Sequence, residues 1–320
     1  MQHRISFIIP IGPGLKPDVC VKSIRRIDYP KKLKEVIVAQ GRSPSKQRNE
    51  AVRKAKGDIV YFLDDDVIVA PDVLEHFLPH FGKEGVAAVG GPMITPEDDP
   101  LIARCFGYTM ESYIGAAGMR YRFKPIGDTC EADETRLVLC NLTCRRDVYL
   151  NEGGLRPDLF PNEENEFFNR LASKGHRMIY EPRSLVYHSR ASTILGVIRK
   201  NVSYGRGRME QMIIQPTSFK PVFAMPSLFA AYLLSAAPVV LASDSAAYLM
   251  PLLLYLTFTG LESLRSAAKR GEPLIFPIMW LLYPTIHVSY GAGFVWGLLM
   301  QVLGLGKRGD SEVKVSRVNL

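Results

Sequence analysis

The sequence predicts an α/β domain on a doubly wound sheet, followed by an α-helical membrane region. Three observations carry that expectation. Short apolar runs alternate with helix-like segments through the N-terminal third, three consecutive aspartates close the third run, and long uncharged apolar stretches fill the chain after Pro221.

The runs come in order. Residues 5–9 (ISFII) end at Pro10, residues 35–39 (EVIVA) at Gly41, residues 58–63 (DIVYFL) at the aspartates, and residues 86–91 (VAAVGG) follow a helix-like DVLEHFLPHF. All read as buried parallel strands. Between the first two, Val19, Val21, Ile24 and Ile27 recur at helical spacing, and before the third Ala51, Val52 and Ala55 share one side ahead of a terminating Gly57. Alternation of this kind puts ligands at the carboxyl ends of the strands. Further on, Phe167, Phe168, Leu171 and Ala172 predict a helix starting near Asn165, with acidic residues at its positive end.

The chain has 320 residues and a net charge of +8, concentrated in the first sixty residues. Such a surface favours phosphates, anionic lipid or nucleic acid, and charge alone does not choose among them. Five cysteines without a repeated spacing point to reduced thiols. Cys140 and Cys144 are close enough in sequence to supply two zinc ligands, but no second close pair or nearby histidine completes that set. The first apolar run breaks at Pro10, too early for a secretory signal, so the first domain is expected in the cytosol.

Residues 222–242 are uncharged and long enough to span a bilayer. Residues 246–261 form a second stretch, followed by Arg265, Lys269 and Arg270, as the positive-inside rule asks of a cytosolic loop. Residues 274–306 lack Asp, Glu, Lys and Arg but exceed one upright span, and Pro277, Pro284, Gly291 and Gly293 predict a kinked or re-entrant segment. The expected organisation is therefore a domain over 1–192, a linker over 193–220, two to four spans over 221–306, and a basic tail over 307–320 that prefers the cytosol. In the linker, Ile194, Leu195, Val197, Ile198 and Val202 stand beside Arg199, Lys200, Arg206 and Arg208, the pattern of a helix lying on anionic lipid. Arg206 and Arg208 are also candidates to hold the phosphate of a lipid-linked acceptor.

Three adjacent carboxylates raise one another's pKa unless a cation neutralises them. Hard oxygen donors suit Mg²⁺ or Mn²⁺, and such an ion bridging a diphosphate stabilises the charge that develops as a nucleotide diphosphate leaves. That chemistry makes a membrane-anchored transferase the leading reading, and nucleic acid is not an expected partner. A nucleotidyltransferase also uses metal-bound aspartates, but its Gly-rich phosphate loop is represented here only by Gly12-Pro13-Gly14. A membrane-tethered scaffold with altered catalysis is the alternative from another class.

The order FIIP, a second strand, then QRNEAVRKAKGDIVYFLDDD resembles the family-two inverting glycosyltransferases of GT-A (Rossmann-like) fold, exopolysaccharide-type. The resemblance covers residues 5 to about 190. It implies a nucleotide-diphosphate sugar donor bound by Pro10, Gln40, Gly41, Arg48, Asp64 and Asp65, with Asn49 completing the family's Arg-Asn pair. It implies a metal on Asp66, with His188 of LVYHSRAS completing its shell. VLCNLTCRRDVYLNEGGL resembles the Gly-Asn segment and places Asn141 toward the acceptor. FPNEENEFFNRL resembles the Glu-Asp helix and puts the general base on Glu164 or Glu163. Where relatives carry an acidic reader of the base, this chain has Gln40, Gly41 and Arg42, and the aromatic Gln-x-x-Arg-Trp signature of processive synthases is absent. The implied activity is single hexosyl transfer to a lipid-linked or membrane-proximal acceptor in polysaccharide synthesis, at the cytosolic face of the cell membrane.

Overall fold

A computed structural model of the chain describes residues 2–243, 246–305, 312–318 and 320. The chain divides into two compact units. Met1–Pro96, Tyr121–Ser189 and Lys307–Leu320 make the first, and Glu97–Arg120 with Arg190–Gly306 make the second.

The first unit opens with β1 (Ile5–Ile11), α1 (Asp18–Arg25), β2 (Lys34–Gln40), α2 (Pro44–Lys54), β3 (Ile59–Phe62), β4 (Ile68–Val69), α3 (Val73–Phe77), β5 (Val86–Gly90) and β6 (Met93–Ile94). The next two helices, α4 (Leu101–Met110) and α5 (Tyr113–Ala116), belong to the second unit. The first resumes with β7 (Cys130–Glu131), β8 (Leu142–Arg145), α6 (Arg146–Asn151), α7 (Glu163–Ser173), β9 (Arg177–Tyr180), β10 (Val186–Tyr187) and, last in the chain, β11 (Lys314–Val318).

Eight strands form one sheet in the order β11-β2-β1-β3-β8-β5-β9-β7. The pairs β1 with β2 and β1 with β3 are parallel, as expected; β5 runs parallel to β9, a strand not foreseen from the sequence, and β8 enters antiparallel between β3 and β5. The sheet is therefore mixed. Alternation along the strands splits the core: Phe7, Ile9, Val36 and Tyr61 pack on one face, and Ile8, Ile37, Val60 and Phe62 on the other with Ala51 and Val52 of α2 and Phe167, Phe168 and Leu171 of α7. Each such side chain, fully buried, contributes about 1.5–3 kcal/mol.

Two strand ends differ from the sequence expectation. β1 continues through Pro10 to Ile11 and stays in register with β2. The Ile8 carbonyl accepts from the Leu63 amide, so Pro10, two residues on, faces the same side, beyond the last β3 pair at Phe62, and its missing N–H leaves no ladder bond unmade. The tail, expected only as a basic segment over 307–320, supplies β11, which pairs antiparallel with β2. Residues 306–311 and 319 lie outside the described residues.

The second unit continues with α8 (Ile194–Ile214), α9 (Met225–Ser243), α10 (Met250–Arg270) and α11 (Ile275–Val302). Two stretches, Met225–Ser243 and Ala246–Arg270, are long and apolar enough to cross a membrane, with mean hydropathies of 1.7 and 1.3. Little of either is buried, and Leu228, Leu234, Leu241, Leu253, Leu254 and Phe258 lie exposed, unlike the core helix of a soluble protein.

α11 is one continuous helix with Pro284 inside it, not a broken or re-entrant segment. Its glycines serve packing instead. A Cβ on Gly293 would lie 2.1 Å from the Val202 carbonyl oxygen of α8, one on Gly291 2.4 Å from that of Pro226 in α9, and one on Gly205 of α8 2.0 Å from that of Tyr290. Small residues here let helix backbones approach, as in membrane helix pairs. The buried face of α8 is consequently Val197, Asn201, Gly205, Arg208 and Gln211, while Leu195 and Ile213 point outward.

Candidate functional site

The sequence-predicted residues converge where β3 ends. Asp64, Asp65 and Asp66 turn the chain from β3 into β4, and β4 pairs antiparallel with β10 in a three-stranded sheet completed by β6. Val186 opposes Val69 and Tyr187 opposes Ile68, so the next residue, His188, falls back beside the aspartates. Its amide donates to the Ile94 carbonyl, and its Nε2 lies 3.3 Å from Asp66 Oδ1.

Arg48 comes from the buried face of α2, beside Gln47 and Asn49. Its guanidinium donates to Asp64 Oδ1 at 2.7 Å and to Glu163 Oε1 at 3.3 Å. It thus ties the end of β3 to the first turn of α7. Glu163 and Glu164 open that helix after Asn162, which takes a left-handed φ of +88°, a conformation asparagine tolerates better than most residues. Glu164 is partly exposed and lies 3.8 Å from Arg122, a partner that sequence reading missed.

Burial, reinforced by the charge of Glu164, pushes the Glu163 carboxyl up to about 8 against the pull of Arg48. A protonated Glu163 still accepts from Arg48 through its carbonyl oxygen and leaves the guanidinium charge to Asp64. A carboxyl whose folded pKa is raised stabilises the fold fully below its ordinary value near 4.5, and that contribution disappears as pH rises through about 8. Glu163→Gln is therefore expected to flatten the decline of stability between these limits. Thermal unfolding across a pH series checks this, and parallel curves for parent and variant would contradict it.

Asp65 is also raised, by burial first and then by Asp66. Asp66 is 59% exposed, so it faces solvent at the mouth of the cluster. Two donors held cis on one divalent cation at about 2.1 Å each lie about 3 Å apart, close to the Asp66–His188 separation. The donor set therefore fits a divalent ion.

Other expected site residues have different work. Asn141 is fully buried; its Oδ1 accepts from the Tyr61 hydroxyl, and its Nδ2 donates to the carbonyls of Pro92 and Ser184. All of its polar atoms thus clamp the strand ends together. Asn49 likewise donates to the Leu155 carbonyl and accepts from Tyr149 and the Leu155 amide, fixing the Gly153-Gly154 loop. Pro10 is buried in β1, Gln40 reaches the Gly12 carbonyl at 3.5 Å, and Gly41 packs on Gln47, whose amide caps the Ile11 and Ala39 carbonyls at the ends of β1 and β2. Arg206 and Arg208 belong to the second unit. Arg206 pairs with Glu210, and Arg208 is buried over the Phe223 ring with its guanidinium donating to Gln211. That placement reverses the expected lipid-facing pattern for Arg208, because its side of α8 packs inward.

Sequence reading did not assign Cys140 to this cluster. Donor atoms of Asp64, Cys140 and His188 lie within 4.8 Å of one another. Cys144 is not its zinc partner: the two thiols fall in the core clusters on opposite faces of the sheet. The signal that could have found Cys140 was its position immediately before Asn141 at the turn into β8.

A mixed sheet with an acidic turn at the carboxyl end of β3 is the GT-A arrangement. The structure of a mannosyltransferase, PcManGT from Pyrobaculum calidifontis, in complex with GDP-Man and Mn²⁺, aligns over 93% of this chain and 88% of its own with a TM-score of 0.56 and 19% identity. At that identity the likeness establishes the fold. The chain belongs to the family described as Glycosyltransferase like family 2, whose model matches residues 18–203. Pre-mycofactocin glycosyltransferase from two Mycobacterium tuberculosis strains is 25% identical over 196 residues, 60% of this chain and 40% of that protein. The chain thus spans about two fifths of the length of these curated relatives.

Proposed function

We propose that this chain transfers one hexose, with inversion, from a nucleotide-diphosphate sugar to a lipid-linked or membrane-proximal acceptor in polysaccharide synthesis. The observation that carries the proposal is the Arg48 bridge from Asp64 to Glu163, which gathers the two acidic elements of the site beside Asp66 and His188. Asp66 and His188 are the residues to hold Mn²⁺ or Mg²⁺, which supplies charge neutralisation to the departing diphosphate. Arg48, fixed by two carboxyl groups, keeps Asp64 oriented toward the donor.

Glu164 is the better base than Glu163. An inverting transfer needs one carboxylate to take the acceptor proton as the anomeric carbon is attacked opposite the diphosphate. Glu163 is 3% exposed and held on Arg48, whereas Glu164 retains access to an incoming hydroxyl. The exposed apolar surfaces of α9 and α10 support membrane anchorage, and Lys269 and Arg270 at the end of α10 support a cytosolic catalytic unit. The pairing of β11 with β2, which returns the end of the chain to the first unit, supports an even number of crossings between Ser189 and β11.

Calorimetry with GDP, UDP and the other nucleoside diphosphates tests the donor class. One of them is expected to bind at least about tenfold tighter with Mn²⁺ than with chelator. No metal-dependent binding across the panel would sink the proposal.

A further inference from the structure

Cys140 sits at the turn into β8, 4% exposed, with its sulfur 3.5 Å from the Met93 thioether and 3.8 Å from His188 Nδ1. The opposite ring nitrogen, Nε2, is the one that faces Asp66. Asp64 gives one oxygen to Arg48 and has a second to offer, and its carboxylate completes the triad. The imidazole therefore stands between two donor sets of different hardness, with oxygen on one side and sulfur on the other.

Bond lengths distinguish the two sides. A tetrahedral ion with a metal–sulfur bond of about 2.3 Å and a metal–nitrogen bond of about 2.05 Å separates those donors by about 3.6 Å. The Cys140–His188 distance matches that. Thiolate sulfur selects borderline-soft ions such as Zn²⁺ and Cd²⁺ over Mg²⁺ or Mn²⁺, which prefer oxygen.

We propose that Asp64, Cys140 and His188 form a thiophilic cation site beside the oxygen-rich Asp66 position, and that binding at the two is mutually exclusive. Exclusion follows from the ring, because a neutral imidazole has one lone pair and carries its proton on the other nitrogen. An ion on Nδ1 forces the proton onto Nε2 and turns a donor to the Asp66 position into an N–H. When the metal–sulfur bond forms, the S–H bond of Cys140 breaks and its proton passes to solvent; no electrons are transferred. Zinc-class ions are thus inhibitors that act through the chain's own sulfur. The exclusion rests on the proposed use of Asp66 and His188 for the working ion, while the sulfur site stands apart from it.

Titrating the full-length protein in detergent with Cd²⁺, and following the ultraviolet thiolate-to-metal charge-transfer band, tests the site. A band saturating at one equivalent is expected, lost in Cys140→Ala and Cys140→Ser and retained in Cys130→Ala. His188→Ala is expected to weaken Cd²⁺ by at least about tenfold, since even partners of metal ligands are worth that much. Far-ultraviolet dichroism confirms that the variants fold, and the serine variant keeps the volume of the thiol. Absence of the band in the parent protein, or its persistence in both Cys140 variants, overturns the site. Paramagnetic resonance of bound Mn²⁺ tests exclusion: Zn²⁺ displaces it from the parent at a lower concentration than from Cys140→Ala, and equal displacement overturns exclusion. If Mn²⁺ does not bind at all, the proposed working position fails while the cadmium band still decides the sulfur site.

Discussion

Asp66→Ala is expected to lower sugar transfer by about three orders of magnitude while leaving the fold intact. A bound divalent ion is worth several kcal/mol of transition-state charge stabilisation, and each 1.36 kcal/mol is about a factor of ten in rate. Asp66 is exposed, follows β3 in a turn, and has no place in either core cluster, so its removal leaves packing untouched. The measurement is nucleotide diphosphate released from the donor identified by calorimetry, together with an unfolding curve. Activity within about tenfold of the parent would remove Asp66 from the metal site.

Gly293→Leu is expected to disrupt the second unit. Even the first atom of the new side chain meets the Val202 carbonyl oxygen at 2.1 Å, and that atom is backbone, so no rotamer change relieves it. Overpacking costs about 1–3 kcal/mol in an adaptable core, and two helix backbones in direct contact adapt less. A loss at or above the top of that range is therefore expected, read as a lower thermal transition in detergent. Gly82→Ala is the control, since its Cβ meets nothing within 4 Å. If both substitutions shift the transition equally, the close packing of α8 on α11 is not a source of stability.

Much of the first unit was legible because its signals are local. The four apolar runs became β1, β2, β3 and β5, and the aspartates fell at the carboxyl end of β3 as strand–helix alternation requires. The resemblance pointed to His188, but what brings it within 3.3 Å of Asp66 was not legible: it depends on pairing of β10 with β4, more than a hundred residues apart. Asn141 was read as acceptor-facing, and Asn49 only as the partner of Arg48, because in sequence an asparagine looks the same whether its amide meets a sugar or a carbonyl. Only the positions of Pro92, Ser184 and Leu155 decide that. Gly291 and Gly293 were read, with Pro277 and Pro284, as signs of a kinked or re-entrant segment for a similar reason, since a glycine that weakens a helix also lets a second backbone in. Arg208 shows the same limit, because a charged residue predicts a solvated face only until a neighbouring helix covers it.

The pairing of β11 with β2 sets an order of events during synthesis. β2 is made early, within the first forty residues, yet the strand that covers its outer edge leaves the ribosome after every helix of the second unit. Throughout that interval β2 is an uncapped edge strand, able to pair with a neighbouring nascent chain. Translation of α9 and α10 thus precedes closure of the sheet, and the first unit reaches its final form only after the second has been made.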